Sequence, residues 1–262
     1  MMIQFNEYLK PKTIEEAYKL LITKNAEIVG GGAFLRLSNR KVDVAIDLFD
    51  ANLDFVKEND NYIEIGSMVV ISAFEENPIL INLYNGFLKN VSETILSFQM
   101  RNIITIGGTL YPKYGFSDLI TALLVLPTEI YLYKSGKFTL EEFLKTKLAH
   151  KDILEKIVIK KENLKTSFQY IRNSEYDFSI LNVAVSKGEE VKIAVGARPG
   201  AALLAYKTMQ FLNENGLNEE TIIKASKMVS DEIPFSDDIK ASKEYRKKVC
   251  EALVKRALLE VM

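Results

Sequence analysis

The stretch that decides the fold runs from Arg101 to Thr109 and reads Arg-Asn-Ile-Ile-Thr-Ile-Gly-Gly-Thr. A β-prone run ends here in the paired glycines Gly107 and Gly108, with hydroxyl-bearing residues on both sides. Paired glycines allow positive φ and leave backbone amides uncovered, and the hydroxyls of Thr105 and Thr109 can bond phosphate oxygens. The alternative is a tight turn at the end of a strand, which needs glycine for steric reasons alone.

Another glycine run lies earlier in the chain, in the stretch 28–35. A short apolar strand, 27–29, leads directly into Gly30-Gly31-Gly32. The run is not GxGxxG and not a P-loop, because no Lys-Ser/Thr follows it. A tight turn is again the alternative for this run alone. Two glycine loops with uncovered amides fit a diphosphate better together than either loop does alone. A dianion with few arginines nearby needs many amide donors.

Ser117-Asp118 follows the loop that contains Gly107 and Gly108. Ser117 is a typical first residue of a helix, and the Asp118 carboxylate can accept a hydrogen bond from a ribose hydroxyl. The alternative is that Asp118 only stabilises the helix N-terminus.

Composition excludes several classes of protein. The chain has 262 residues, with 34 Lys and Arg against 35 Asp and Glu, so it has no broad basic field and we expect no nucleic-acid partner. One Cys and one His cannot hold an iron–sulfur cluster or a Cys-rich zinc site. The segment 1–12 lacks the apolar core of a signal peptide, and the longest apolar stretch, 119–126, is shorter than the roughly 20 residues that cross a bilayer. These features predict a cytoplasmic protein without a membrane partner.

Periodicity predicts an α+β fold with a domain boundary in the lysine-rich segment 160–165. Residues 1–162 are expected to form one domain of two subdomains, about 1–53 and 54–162, and residues 163–262 a second domain with a three-stranded antiparallel sheet and helices. Residues 99–115 are expected to form a loop. The predicted strands are 27–29, 42–48, 54–57, 62–66, 129–133, 137–138, 156–159, 167–172, 179–186 and 191–197. The predicted helices are 14–25, two or three within 71–98, one beginning after Ser117, one beginning after Thr139, and 201–214, 218–229 and 241–260.

These stretches resemble the FAD-binding subunits of molybdenum hydroxylases, the xanthine dehydrogenase and carbon monoxide dehydrogenase type. The resemblance covers essentially the whole chain, and the glycine loop that contains Gly107 and Gly108 is its most specific part. The stretches that carry it, in the family's order, are 11–17, 30–35 with Asp47-Leu48, 99–108 with Ser117-Asp118, 170–172 with Asp177-Phe178, 195–197, and 242–246.

The resemblance implies a PCMH-type FAD-binding module, holding FAD non-covalently, followed by a C-terminal flavoprotein domain. It implies that electrons leave a substrate at molybdopterin on a large subunit, pass through [2Fe-2S] clusters on an iron–sulfur subunit, and reach FAD on this chain and then an acceptor such as NAD. Asp118 would face the ribose or adenine end, and Tyr170, Arg172 and Phe178 would lie towards the isoalloxazine. The implied FAD-binding residues are Ile28, Val29, Gly30, Gly31, Gly32, Ala33, Phe34, Leu35, Thr105, Ile106, Gly107, Gly108, Thr109, Asp118, Arg172 and Phe178; no catalytic residue and no metal ligand is assigned.

Three positions depart from the family's pattern. Ala33 stands where the family usually has Thr or His, Phe34 where it has a small polar or acidic residue, and Thr109 where it commonly has Asn. Each lost hydrogen bond costs roughly 0.5–1.5 kcal/mol. The alternative function is therefore a non-catalytic scaffold subunit of the same fold that has lost or weakened FAD binding.

Overall fold

The strands of the computed structural model, which describes residues 3–262, form three separate sheets. They are Gln4–Leu9 (β1), Ala26–Val29 (β2), Lys41–Asp47 (β3), Val56–Glu58 (β4), Tyr62–Gly66 (β5), Thr128–Leu132 (β6), Gly136–Thr139 (β7), Leu154–Lys160 (β8), Lys165–Ile171 (β9), Leu181–Lys187 (β10), Val191–Gly196 (β11) and Leu203–Leu204 (β12).

The predicted cap residue Thr13 precedes the first helix. Its hydroxyl accepts a hydrogen bond from the Glu16 amide at 3.1 Å. The helices are Ile14–Thr23 (α1), Ala73–Glu76 (α2), Phe87–Glu93 (α3), Phe98–Arg101 (α4), Ile106–Leu110 (α5), Asp118–Leu124 (α6), Leu140–Lys145 (α7), Tyr206–Asn215 (α8), Glu219–Glu232 (α9) and Lys243–Val261 (α10). Single 3₁₀ turns lie at Leu35–Leu37 and Phe49–Ala51.

One compact unit comprises 1–73, 97–112 and 128–161. It contains a parallel sheet in the order β1-β3-β2 and an antiparallel sheet in the order β4-β5-β8-β6-β7. Helix α1 buries Ala17 and Leu21 against the parallel sheet, as its helical spacing predicts. Because β2 and β3 run parallel, the segments that follow them leave the sheet at one edge, where α/β sheets usually bind ligands.

The other compact unit comprises 74–96, 113–127 and 162–262. Its antiparallel sheet has the order β12-β11-β10-β9, and one apolar core joins this sheet to α8, α9 and α10. The three predicted strands are present, and β12 adds a fourth strand of two residues. Because Leu203–Leu204 pairs with β11, α8 begins at Tyr206 and not at the predicted residue 201.

Three other predictions differ from the structure. The β-prone run 101–106 is not a strand, and the predicted loop 99–115 contains α4 and α5, because Ser97 and Thr105 cap helices with their hydroxyls. Only an isolated bridge between Val70 and Thr105 remains of the expected extended structure. Strand β1 was not predicted, because five of its six side chains are exposed and give no alternating pattern.

The α+β fold class is confirmed, and the domain boundary at 162/163 stays a prediction. The compact units place 74–96 and 113–127 together with the C-terminal residues. The fully buried helix α6 explains this grouping, since its residues pack against β10 and β11.

Candidate functional site

The first glycine loop leaves the carboxyl end of β2 in a left-handed turn. Gly31 has φ 63° and Gly32 has φ 71°, and the Gly32 amide donates to the Gly30 carbonyl at 2.7 Å. The amides of Gly31 and Ala33 donate to no backbone carbonyl within residues 3–262. Uncovered amides in such a turn form a concave binding site for an anion, so this loop has the predicted character.

The second glycine loop has a different character from the prediction, which was wrong in expecting bare amides there. The Gly107 amide donates to the Ser67 carbonyl at 2.7 Å, and the Gly108 amide donates to the Thr105 hydroxyl at 3.0 Å. The amides of Ile106 and Thr109 are also bonded, to the carbonyls of Val69 and Thr105. The physical reason is that Thr105 starts α5, so the glycines lie in the first turn of a helix.

The two loops nevertheless meet, as the diphosphate hypothesis requires. A Cβ atom added to Gly30 would lie 2.7 Å from the Thr105 hydroxyl oxygen, and one added to Gly31 would lie 1.6 Å from the Ile103 carbonyl oxygen. A Cβ on Gly108 would lie 3.1 Å from the Gly30 carbonyl oxygen. The glycines therefore allow one loop to approach the other at a distance that a side chain would prevent.

Two buried hydroxyls beside this contact have no hydrogen-bond partner among the described residues. They are Thr109 Oγ1, which the sequence predicts as a phosphate ligand, and Ser67 Oγ, which it does not. A buried polar group without a partner costs about 1–3 kcal/mol. A diphosphate needs hydrogen-bond donors, so these hydroxyls and the uncovered amides of the first loop fit it chemically.

A cleft of about 140 Å³ opens beside the two loops. It is lined by Ile28, Gly30, Thr105, Gly107 and Gly108 of the predicted site. The sequence did not predict the rest of the lining, which comes from strand ends and connections far apart in the chain: Leu48, Ser67, Met68, Tyr111, Lys151 and Ile153 are among them. Ser67 carries no local sequence signal, because its place beside Gly107 arises from a contact between segments 40 residues apart.

The other predicted residues of the loops do not line this cleft. Val29 pairs with Asp47 in the parallel sheet, and Ile106 is fully buried in the core. Ala33 is buried, and Phe34 and Leu35 lead into the 3₁₀ turn Leu35–Leu37.

Asp118, in the other compact unit, has a protein partner for each oxygen. Its Oδ1 accepts from Ser179 Oγ at 2.7 Å and from Asn182 Nδ2 at 2.5 Å, and its Oδ2 faces Arg172 Nη2 at 3.2 Å. Burial raises the pKa of Asp118, and the Ser179 bond, the Arg172 charge and the Asn182 bond act against this rise. The arrangement is a buried ion pair, which is costly to break from one side only.

Arg172 joins three segments of its unit. Besides Asp118, its guanidinium donates to the carbonyl of Thr94 and, at 3.3 Å, to that of Glu175. It also lies over the ring of Tyr170, 4.1 Å from the centroid. These contacts give Arg172 a structural task, and its predicted place beside the isoalloxazine stays a prediction.

Phe178 belongs to a row of aromatic rings. Its ring centroid lies 4.4 Å from that of Phe116, which in turn stacks on Tyr114 at 4.9 Å. The Lys240 ammonium lies 5.7 Å from the Phe178 ring centroid and pairs with Asp177. A planar ligand ring could extend this row, but nothing in the row itself selects one.

Family models match nearly the whole sequence. The FAD binding domain in molybdopterin dehydrogenase matches residues 3–160. The chain belongs to this family. The CO dehydrogenase flavoprotein C-terminal domain matches residues 166–261 of the same flavoprotein.

Individual relatives agree over the full length of this FAD-binding chain. It is 26% identical over 272 residues to the nicotine 6-hydroxylase medium subunit of Paenarthrobacter nicotinovorans, covering 97% of this chain and 96% of the relative. It is 25% identical over 274 residues to the glyceraldehyde dehydrogenase medium chain of Sulfolobus acidocaldarius, with 97% of both chains covered. The protein is thus an FAD-binding medium subunit of the molybdenum hydroxylase family, and its relatives are oxidoreductase subunits.

Solved structures show the same fold. Quinoline 2-oxidoreductase from Pseudomonas putida 86 superposes with a TM-score of 0.89 at 20% identity, covering 100% of this flavoprotein and 98% of that chain. Carbon monoxide dehydrogenase from Hydrogenophaga pseudoflava gives the same TM-score, identity and coverage. These structures confirm the predicted fold, and the family models confirm the predicted family.

Residues 3–262 of the flavoprotein contain neither a candidate membrane span nor a candidate metal site. None of their helices combines the length and the apolar character needed to cross a membrane. No group of three or more His, Cys, Asp or Glu residues among them is arranged to hold a metal ion.

Proposed function

We propose that this flavoprotein carries electrons within a molybdenum hydroxylase complex. In this proposal an iron–sulfur subunit delivers electrons from a large molybdopterin-binding subunit, and an acceptor such as NAD receives them. Bound FAD supplies the redox chemistry, and the chain supplies binding and orientation.

The observation that carries the proposal is the contact between the two glycine loops. One loop offers the uncovered amides of Gly31 and Ala33, and the other brings the Thr105 hydroxyl to the same place. A diphosphate held there would also find the unpartnered hydroxyls of Ser67 and Thr109.

The residues that would hold FAD divide the work by their chemistry. The amides of the first loop are donors aimed at phosphate oxygens, and the Thr105 hydroxyl keeps a proton to donate because its oxygen accepts from Gly108. Asp118, Arg172 and Phe178 keep their predicted roles at the sugar and flavin ends as part of this proposal. The ion pair of Asp118 with Arg172 would fix both side chains in place before the cofactor binds.

The assignment of the metal centres to partner subunits follows from composition. A [2Fe-2S] cluster needs four ligands, usually cysteine thiolates. The sequence has one Cys, which is buried, and one His, which is exposed. The proposed clusters therefore lie on another chain.

The decisive experiment is the absorbance spectrum of the purified chain. We expect two flavin bands, and FAD in the supernatant after acid denaturation because the cofactor is not covalently held. A colourless protein that binds no added FAD would contradict the proposal and favour the scaffold alternative. For the acceptor, the chemically reduced protein is mixed with NAD without oxygen, and return of the flavin bands is the expected result.

A further inference from the structure

The hydroxyl of Tyr111 belongs to the cleft beside the glycine loops, and the proposed diphosphate contacts do not use it. It accepts a hydrogen bond from the Asp152 amide at 2.9 Å, and both residues line the cleft. No atom of residues 3–262 accepts the proton of this hydroxyl. Because a phenolic hydroxyl donates as well as accepts, Tyr111 keeps one donor for a ligand in the cleft.

Contacts on several sides fix the place of this hydroxyl. The Tyr111 amide donates to the Gly107 carbonyl at 3.0 Å, so Tyr111 lies one helical turn, about 5.4 Å, beyond that glycine. Its ring packs against the buried Phe143, with ring centroids 6.3 Å apart. The Asp152 carboxylate accepts from the Ser135 amide at 2.7 Å and from the Ser135 hydroxyl at 2.6 Å, which holds the Asp152 backbone in turn. The donor is therefore in position before a ligand arrives.

The hydroxyl of Tyr111 keeps its proton at neutral pH. Burial raises the pKa of Tyr111, the hydrogen bond from the Asp152 amide lowers it, and the charges of Asp152 and Glu27 raise it again. The net shift is upward, away from neutral pH. Tyr111 is therefore an uncharged donor, which suits an uncharged acceptor such as a ring nitrogen.

The cleft has the size and the lining for one aromatic ring system. Its volume of about 140 Å³ is below the roughly 300–1,000 Å³ of sites that hold a whole ligand. Its walls include the apolar side chains of Leu48, Met68 and Ile153. FAD carries a ring system at each end, and adenine, with two fused rings, is smaller than isoalloxazine, with three. The cleft therefore fits adenine better.

We propose that this cleft holds the adenine of FAD and that the Tyr111 hydroxyl donates a hydrogen bond to one of its ring nitrogens. The inference rests on the proposed function, because it needs FAD to bind. Tyr111 lies outside the stretches that carry the family resemblance, so it adds a contact that the resemblance does not assign. The Asp152 amide is the positioning group, because it holds the phenolic oxygen and leaves the proton for the base.

Tyr111→Phe removes the hydroxyl and keeps the ring. The protein is freed of FAD and titrated with FAD, and ADP is measured by its competition with FAD. ADP shares the adenine and the diphosphate with FAD but has no flavin. We expect both ligands to bind about tenfold more weakly to the variant, which is the loss for one hydrogen bond. A variant that loses affinity for FAD and not for ADP would overturn the proposal, because the hydroxyl would then contact the flavin part.

Tyr131→Phe is the matched control. Tyr131 is a half-buried tyrosine of the same unit, its hydroxyl donates to Glu129 at 3.2 Å, and it does not line the cleft. This variant should bind FAD and ADP like the unmodified protein. Urea unfolding of both FAD-free variants measures the structural cost of each lost hydroxyl separately.

The alternative is that the Tyr111 hydroxyl only anchors the Asp152 backbone. In that case Tyr111→Phe would lower the stability and leave the affinity for ADP at the level of the control, which would overturn the inference alone. An unmodified protein that binds no FAD would overturn the proposed function as well.

Discussion

Gly31 and Gly32 have the same kind of backbone and different surroundings. Both have positive φ, but an added Cβ would meet the Ile103 carbonyl at 1.6 Å in one case and only Val29 Cγ1 at 3.7 Å in the other. The pair therefore separates the cost of a left-handed side chain from the cost of a collision between the loops.

Gly31→Ala should force the two loops apart and release FAD, whereas Gly32→Ala should lose only roughly 1–2 kcal/mol of stability through backbone strain. FAD content after gel filtration and urea unfolding measure the two effects. If Gly31→Ala keeps FAD at the level of Gly32→Ala, the loop contact is not part of the site.

Burial raises the pKa of the Cys250 thiol to about 12. In the unfolded chain a thiol has a pKa of about 8.5, so between that value and about 12 the unfolded state loses a proton that the folded state keeps. Stability should therefore fall as pH rises through this window. Cys250→Ala should remove this part of the loss of stability at alkaline pH, and unfolding midpoints at a series of pH values will measure the difference. In the folded protein, the Cys250 thiol should resist modification by iodoacetamide at pH 8.

At the residue scale, the sequence predicted where the glycines matter but only part of the reason. The first loop has the uncovered amides that a three-glycine run predicts. At Gly107 the constraint is the Ser67 side chain, 2.9 Å from an added Cβ, and a contact 40 residues apart in sequence has no local signal. Ser67 was missed for the same cause.

At the element scale, α5 shows how a cap overrides strand propensity. Thr105 accepts from the Gly108 amide and the helix begins, although the isoleucines before it favour a strand. Thr139 starts α7 in the same way, with a complete capping box. The sequence predicts the helix start at Thr139, because Glu142 completes the capping box. It does not predict the helix start at Thr105, because Gly107 and Gly108 follow that residue.

These two caps form a matched pair for mutation. Thr105→Val and Thr139→Val should each cost about 1 kcal/mol, because each leaves a helix amide without its acceptor. Only Thr105→Val should also weaken FAD binding, and Thr105→Ser should restore it. Equal FAD affinity in the two valine variants, measured by flavin fluorescence titration, would remove Thr105 from the site.

At the scale of the whole molecule, sequence reasoning predicted the fold class and the family, and it divided the chain at one point. The structure instead collects 74–96 and 113–127 with the C-terminal residues. Helix α6 lies in one of these segments, and the hydrogen bonds of Asn182 and Ser186 reach Asp118 and the Val125 carbonyl. Hydrophobic periodicity does not predict such long-range polar pairing, because it depends only on residues that are close together in the sequence.

A fragment of residues 163–262 should therefore fold poorly, since it exposes the sheet face that α6 covers. A fragment of 74–262 keeps α3 and α6 and is the matched comparison. Near-ultraviolet circular dichroism and urea unfolding should show a cooperative transition for the longer fragment only. A cooperative transition of the shorter fragment would establish the boundary at 162/163 as that of an independent domain.

The alternation of the chain between the two units has a consequence for synthesis. The chain passes from one unit to the other five times, and the last residue of the glycine-loop unit is 161, whereas the other unit needs residues up to 262. On the ribosome, the last residue of the first unit is therefore made before residues 162–262 of the other unit. The two glycine loops can therefore meet in the nascent polypeptide before residues 162–262 are made.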